Sequence, residues 1–280
     1  MIRPLLSNES FLKDVRAIDP GSRSLYVWWL GQSGFLVAWE GRYLALDPYL
    51  SDCLTRKYAN TDKPHARMTE RVVAPEALGF VSIATSSHNH TDHLDAETLL
   101  PLRAANPDLA LVIPEANRAF VSERLRTPIE WPRGLTDGAL LTLGGFTFHG
   151  VPAAHNRLDT DAEGRHLCMG YVVEAGPWRV YHSGDTLLYP GLEERLKPWR
   201  VDLALLPING DRPERRVAGN LDGQQAAGLA HAIGAGLVVP CHYDLFEFNT
   251  ASPAPFVAAC QRLGQPHRVL QAGERMELTR

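Results

Sequence analysis

The heptapeptide Ser87-His88-Asn89-His90-Thr91-Asp92-His93 sets four candidate metal ligands close together in the chain. Imidazole nitrogen and carboxylate oxygen are the donors that zinc, manganese and iron accept. The segment follows an apolar run, Phe80–Ser86, that reads as a buried strand. In extended backbone, residues two apart face the same way. His88 and His90 are therefore expected to point together. The chain then turns toward a helix, which would direct Asp92 and His93 at a second point nearby. Three later residues follow other strand-like runs: His155 after Phe146–Val151, Asp185 after Trp178–His182, and His242 after Leu237–Val239. Functional side chains collect on loops at strand ends, where the scaffold holds them. A lone His or Asp in such a place is more often structural, so these three gain weight only as parts of a set.

That set, SHNHTDH followed by a lone His, a GDT and a late His, resembles the metallo-β-lactamase superfamily from about Leu25 to the C-terminus. Within it, LLPINGDRPERRVAGNLDGQQAAGLAHAIGAGLVVPCHYDLFEFN (Leu205 to Asn249) is similar to the L-ascorbate-6-phosphate lactonase group. The resemblance implies an α/β fold of four layers, an αββα sandwich. It implies two divalent metal ions, one held by His88, His90 and His155 and the other by Asp92, His93 and His242, with Asp185 between them. Many lactamases of the superfamily carry Cys where Asp185 stands, so the Asp fits the dinuclear hydrolases better. The implied reaction is attack on an ester, a lactone of an anionic sugar derivative, by a hydroxide formed from a water that two metals acidify toward pH 7. Asp92 would carry the proton. The resemblance leans toward manganese, and intrinsic affinity toward zinc. The alternative is a phosphodiesterase acting on a nucleotide or phospholipid head group, and a third reading is a metal-bound binding module.

Further residues have roles that fit this chemistry. Asp47, in LDPYL, is a candidate acceptor for the second ring nitrogen of a ligand histidine. Arg212, Arg215 and Arg216 crowd the loop Asp211–Asn220, and guanidinium grips phosphate or carboxylate with two bonds. Asn209 and Asn220 flank that loop and are candidates for sugar hydroxyls, and Arg157 is a weaker candidate for holding an anion. Tyr243 would either donate to an oxyanion or pack. Cys241, adjacent to His242, should face the other way. His182 reads as core or as support for a ligand, and His65 and His149 as structural or exposed.

The elements that must position these groups are legible in part. Leu25–Leu30, Phe35–Glu40 and Tyr43–Asp47 read as strands joined by glycine turns. Ala96–Ala105 reads as a helix capped by Asp95, with Pro101 an interruption. Leu109–Ile113 is strand-like and Glu115–Leu125 helical. Strands are expected at Ala139–Leu143, Leu167–Glu174 and Leu203–Pro207, and helices at Leu192–Lys197, Gly223–Ile233 and Pro253–Leu263. Strands come first in each half and helices after, which suggests one metallo-hydrolase domain over residues 1–280 with sheets inside and helices outside.

The chain has 28 basic and 32 acidic residues, a net charge of −4. This balance gives no general attraction for nucleic acid or anionic membrane. The expected partner is a small anionic substrate, with a homo-oligomer left open. The start MIRPLLSNES breaks its apolar run too early for a secretory signal. The four cysteines show no CxxC pairing, which suits a reducing, cytoplasmic location.

Overall fold

The computed structural model describes residues 1–280. The first half runs α1 (Asn8–Arg16), β1 (Leu25–Gly31), β2 (Gly34–Trp39), β3 (Arg42–Leu46), α2 (Cys53–Tyr58), β4 (Ile83–Thr85), α3 (Ala96–Ala105), β5 (Ala110–Pro114), α4 (Arg118–Leu125) and β6 (Pro132–Leu135). The second runs β7 (Leu140–Leu143), β8 (Phe146–Pro152), β9 (Met169–Ala175), β10 (Trp178–His182), α5 (Leu192–Leu196), β11 (Leu203–Pro207), α6 (Gly223–Ala232), β12 (Leu237–Cys241), α7 (Ala254–Leu263) and β13 (Arg275–Leu278).

Two mixed sheets result. One has the order β13-β1-β2-β3-β4-β5-β6 and the other β12-β11-β10-β9-β8-β7. Each begins with an antiparallel meander (β1–β3, β7–β10) and continues with parallel strands (β3 to β6, β10 to β12). Parallel pairing needs crossovers, and α3, α6 and their neighbours supply them. The last strand departs from the two-halves pattern: β13 returns to pair with β1 in the first sheet.

The sheets lie against each other. Phe35 on β2 meets the ring of His182 on β10 edge-on at 6.1 Å, and the Tyr171 hydroxyl on β9 donates to the Ser86 carbonyl at 3.0 Å. One cluster of 69 buried apolar residues draws on both sheets, so the space between them is the main core. Truncating a ring such as Phe35 there should cost about 3–5 kcal/mol. β1, β10 and β11 are buried along nearly their whole length, as expected of strands covered on both faces. α6 and α7 cover one side so closely that a Cβ on Gly223 would sit 2.8 Å from the Phe256 amide nitrogen.

Local signals explain the helix starts. Asp222 accepts from the Gln225 amide while Gln225 reaches back to Asp222, a reciprocal cap that opens α6. Asp95 caps α3 through the Glu97 amide. Pro101 sits inside α3 without ending it. A smaller apolar cluster of Tyr49, Leu54, Leu245 and Phe246 stands apart from the main core. It lies beneath α2 and the loop after β12. No helix is long and apolar enough to cross a membrane.

Candidate metal centre

All seven expected ligands meet at one edge of the sandwich. They come from the β4–α3, β8–β9 and β10–α5 loops and from the residue after β12. The route differs from expectation at His88 and His90. The strand ends at Thr85, and the following residues bend and turn instead of extending. The two rings still converge, with centroids 4.6 Å apart.

Three groups of donor atoms each fall within 4.8 Å of one another: His88, His90 and His155; His88, His93 and Asp185; Asp92, His93 and His242. Asp185 stands between the outer two groups. Its Oδ1 lies 3.3 Å from His93 Nε2, and its Oδ2 lies 3.3 Å from His242 Nε2 and 3.7 Å from His155 Nε2. Helping to place His242, its backbone has a left-handed φ of 63°.

The chemistry of these atoms fits cations. His88 Nε2, His93 Nε2 and Asp185 Oδ1 are buried without a hydrogen-bond partner; His93 and Asp185 approach without the alignment such a bond needs. An unpaired buried polar atom costs about 1–3 kcal/mol, and three within a few ångströms call for a shared partner. The other ring nitrogens are already engaged. His93 Nδ1 donates to Asp47 Oδ2 at 2.7 Å, His155 Nδ1 donates to the Gly219 carbonyl at 3.0 Å, and His88 Nδ1 faces Ser87 Oγ at 3.0 Å. Each contact fixes the ring plane and turns Nε2 toward the cluster, where His155 Nε2 lies 3.1 Å from His90 Nδ1.

Asp47 lies beside His93. It is fully buried. Burial alone would raise its carboxyl, but the His93 hydrogen bond, the fields of His182 and His93 and the Ser87 contact outweigh it and hold it at about 2. Burial likewise opposes charge on His93, yet Asp185, Asp92 and Asp47 push its pKa well above the usual range. Burial, reinforced by the positive fields of neighbouring histidines, drives His88 well below that range. Burial also takes His155 down to about 4.

The cluster floors a cavity of about 480 Å³. Tyr58, His65, Phe246 and Phe248 form an aromatic wall, with the Tyr58 and His65 rings stacked at 4.4 Å and His65 and Phe248 at 4.5 Å. Lys57, Lys63, Arg124 and Arg216 stand around it. Lys57 and Arg124 form no ion pair, whereas Arg216 pairs with Asp62. Arg124 Nη1 holds the Asn89 carbonyl at 2.5 Å, on the ligand loop itself.

Several expected substrate contacts are corrected by these positions. Of the three loop arginines only Arg216 reaches the cavity. Arg215 is spent internally, donating to the Asn209 carbonyl (2.7 Å), Asn249 Oδ1 (3.1 Å) and the Thr250 carbonyl (2.6 Å). Arg212 is exposed outside the cavity. Asn209 and Asn220 are buried and bond to each other at 3.0 Å, and Asn209 also donates to Asn249. They brace the loop and do not face a sugar. The Tyr243 ring stacks on Trp29 at 4.4 Å and its hydroxyl donates to the Leu270 carbonyl at 2.5 Å, so it packs and has no oxyanion to serve. Arg157 is exposed and paired with Asp159. Cys241 is buried. His182 donates from Nε2 to the Ser33 carbonyl at 2.8 Å. His149 lies by Glu174 and Trp199, away from the cavity.

His65, read as structural or exposed, lies instead in the cavity wall, and sequence reasoning passed over Lys57, Tyr58, Lys63, Arg124, Phe246, Phe248 and Gln32. None forms a motif. The only available signal was the density of basic and aromatic residues between Lys57 and His65.

Residues 45–243 match the family described as beta-lactamase superfamily domain. A UPF0173 metal-dependent hydrolase from Opitutus terrae is 30% identical over 256 residues, covering 89% of this chain and 98% of the relative. Among solved structures, Igni18, a metallo hydrolase from Ignicoccus hospitalis, superposes with a TM-score of 0.67 at 21% identity over 92% of this chain and 99% of its own. An isothiocyanate hydrolase from Delia radicum gut bacteria superposes with a TM-score of 0.70 at 17% identity over 90% and 98%. At these identities the structural likenesses speak for the metallo-β-lactamase fold. Family match, relative and fold agree, and the chain belongs to the UPF0173 metal-dependent hydrolases of the metallo-β-lactamase superfamily.

Proposed function

We propose that the chain hydrolyses an ester, with a lactone of an anionic sugar derivative as the leading substrate class, at a dinuclear centre. The observation that carries this reading is the placement of unpaired cations around a cavity floored by the ligand cluster. Lys57 and Arg124 lack carboxylate partners, so an anionic group would meet charge that nothing else neutralises. Charge-assisted bonds of this kind contribute about 1.5–3 kcal/mol each.

The chain's own residues then divide the work. His88, His90 and His155 would hold one cation, and Asp92, His93 and His242 the other, with Asp185 shared. Manganese and zinc both suit these donors. When bound there, the cations would supply an acidified water and polarise the oxygen that gains charge. Asp92 lies on the cavity floor with its side chain partly open, so its carboxylate is placed to take a proton from water and return it to the leaving oxygen. Asp47 and the Gly219 carbonyl keep the rings of His93 and His155 from turning. The aromatic wall shields one side of the substrate from water.

That wall also favours one second reading. Stacked rings beside cations suit a nucleotide phosphodiester. The two are separated by assaying a phosphorylated sugar lactone and an activated nucleotide diester in parallel, with manganese- and zinc-loaded protein and His90→Ala as control. Lactone turnover lost in His90→Ala supports the lead. Diester turnover alone replaces it, and turnover undiminished in His90→Ala removes the centre from the mechanism.

A further inference from the structure

Gln32 lies in the tight turn between β1 and β2. Its φ is 50°, a left-handed conformation that costs a residue with a Cβ about 1 kcal/mol or more. The turn is pinned in that state. The Gln32 carbonyl accepts from the His242 amide at 2.9 Å and from Trp29 Nε1 at 3.0 Å. Two strained backbones, at Gln32 and His242, are thus tied to each other. Strain that the surroundings over-determine is a mark of a functional position.

The side chain shows what the strain achieves. It is 1 % exposed. Its terminal nitrogen lies 2.8 Å from Asp92 Oδ2 and against the His242 ring, 3.0 Å from Nε2 and 3.3 Å from Nδ1. Its terminal oxygen has no hydrogen-bond partner. A cation at about 2.0–2.2 Å from its donors spaces neighbouring donors about 3 Å apart. The end of the Gln32 side chain is therefore already at ligand spacing from two members of one metal group. It makes no hydrogen bond to His88, His90 or His155.

A cation beside Asp92 and His242 would be met by an oxygen donor and not by an N–H. A half-turn of the carboxamide exchanges nitrogen for oxygen at almost unchanged shape. The exchange leaves one buried end unpaired, as one end is unpaired already, so its cost is small beside the gain of an oxygen donor.

We propose that Gln32 is a ligand, through its amide oxygen, of the cation held by Asp92, His93 and His242. The assignment rests on the two-metal reading above. It makes the two metal positions unequal: one is closed by three histidines, and the other adds a neutral oxygen from a separate turn.

The test is calorimetric titration of metal-free protein with Zn²⁺ and with Mn²⁺, with metal content measured after gel filtration. The variants are Gln32→Leu, which removes the oxygen at similar size, and Gln32→Glu, which keeps an oxygen donor. Wild type should bind two equivalents. Gln32→Leu should keep one at wild-type affinity and lose about tenfold or more at the other. Gln32→Glu should recover the second. If Gln32→Leu does not fold, Gln32→Met takes its place. Two equivalents at wild-type affinity in the apolar variant overturn the assignment and leave the two-metal reading intact. A glutamate variant no better than leucine also overturns it, because an oxygen donor would then have no effect. A single equivalent in wild type overturns the two-metal reading, and the assignment with it.

Discussion

Asp47 Oδ2 accepts a hydrogen bond from His93 Nδ1 at 2.7 Å, and both side chains are fully buried. The pair links the end of β3 to the ligand loop, so a carboxylate that touches no metal position governs one that does. Asp47→Asn should keep the fold and weaken metal binding about ten-fold or more. Competition with a chromophoric chelator would measure it, and an unchanged affinity would make Asp47 a purely structural residue.

The same carboxylate sets an acid limit. Its pKa is about 2 in the folded chain against about 3.9 in an unfolded one. A depressed carboxylate stabilises the fold above its unfolded pKa, and the contribution fades as pH falls from about 4 toward 2. Urea melts of the metal-free protein at pH 5 and pH 3 should show a larger loss for wild type than for Asp47→Asn. Equal losses would contradict the depression.

His93 carries the opposite shift. Its raised pKa favours a proton there in the metal-free protein. Metal loading must expel it. Affinity should therefore rise with pH up to that pKa and level off beyond it. Calorimetry at pH 7 in two buffers of different ionisation enthalpy should report release of about one proton. No buffer dependence would refute the assignment.

Lys57 offers the cleanest test of the cavity's charge. Its ammonium lies 5.1 Å from the Tyr58 ring centre and makes no ion pair. Lys57→Met should raise KM for an anionic substrate about five- to ten-fold and leave a neutral ester unaffected. Arg212→Ala, outside the cavity, should change neither.

Arg215 should behave as a brace. Arg215→Ala removes bonds to Asn209, Asn249 and Thr250 and should cost about 1–3 kcal/mol in denaturant melts. KM should stay near wild type in the folded fraction. A KM effect without loss of stability would return Arg215 to the substrate site.

The candidate ligands were readable because their chemistry is rare and their spacing dense. Four donors between His88 and His93 have few other uses, and the strands Trp178–His182 and Leu203–Pro207 were read with the bounds they have. Misreadings came where position in three dimensions, not type, decides the role. Arg215 and Arg216 are adjacent, yet one braces a loop and the other reaches the cavity. Tyr243 follows a ligand directly but turns to Trp29. His65 has no motif at all and becomes part of the wall only because α2 folds over the site. The strand β13 was missed because its pairing with β1 spans nearly the whole chain.

The small apolar cluster of Tyr49, Leu54, Leu245 and Phe246 gives the substrate wall a foundation of its own. Lys57, Tyr58 and His65 stand on it, while the ligands stand on the sheets. Substitutions at Lys57, Tyr58 or His65 can therefore change the lining of the cavity while the main core and the loops that carry the candidate ligands keep their packing.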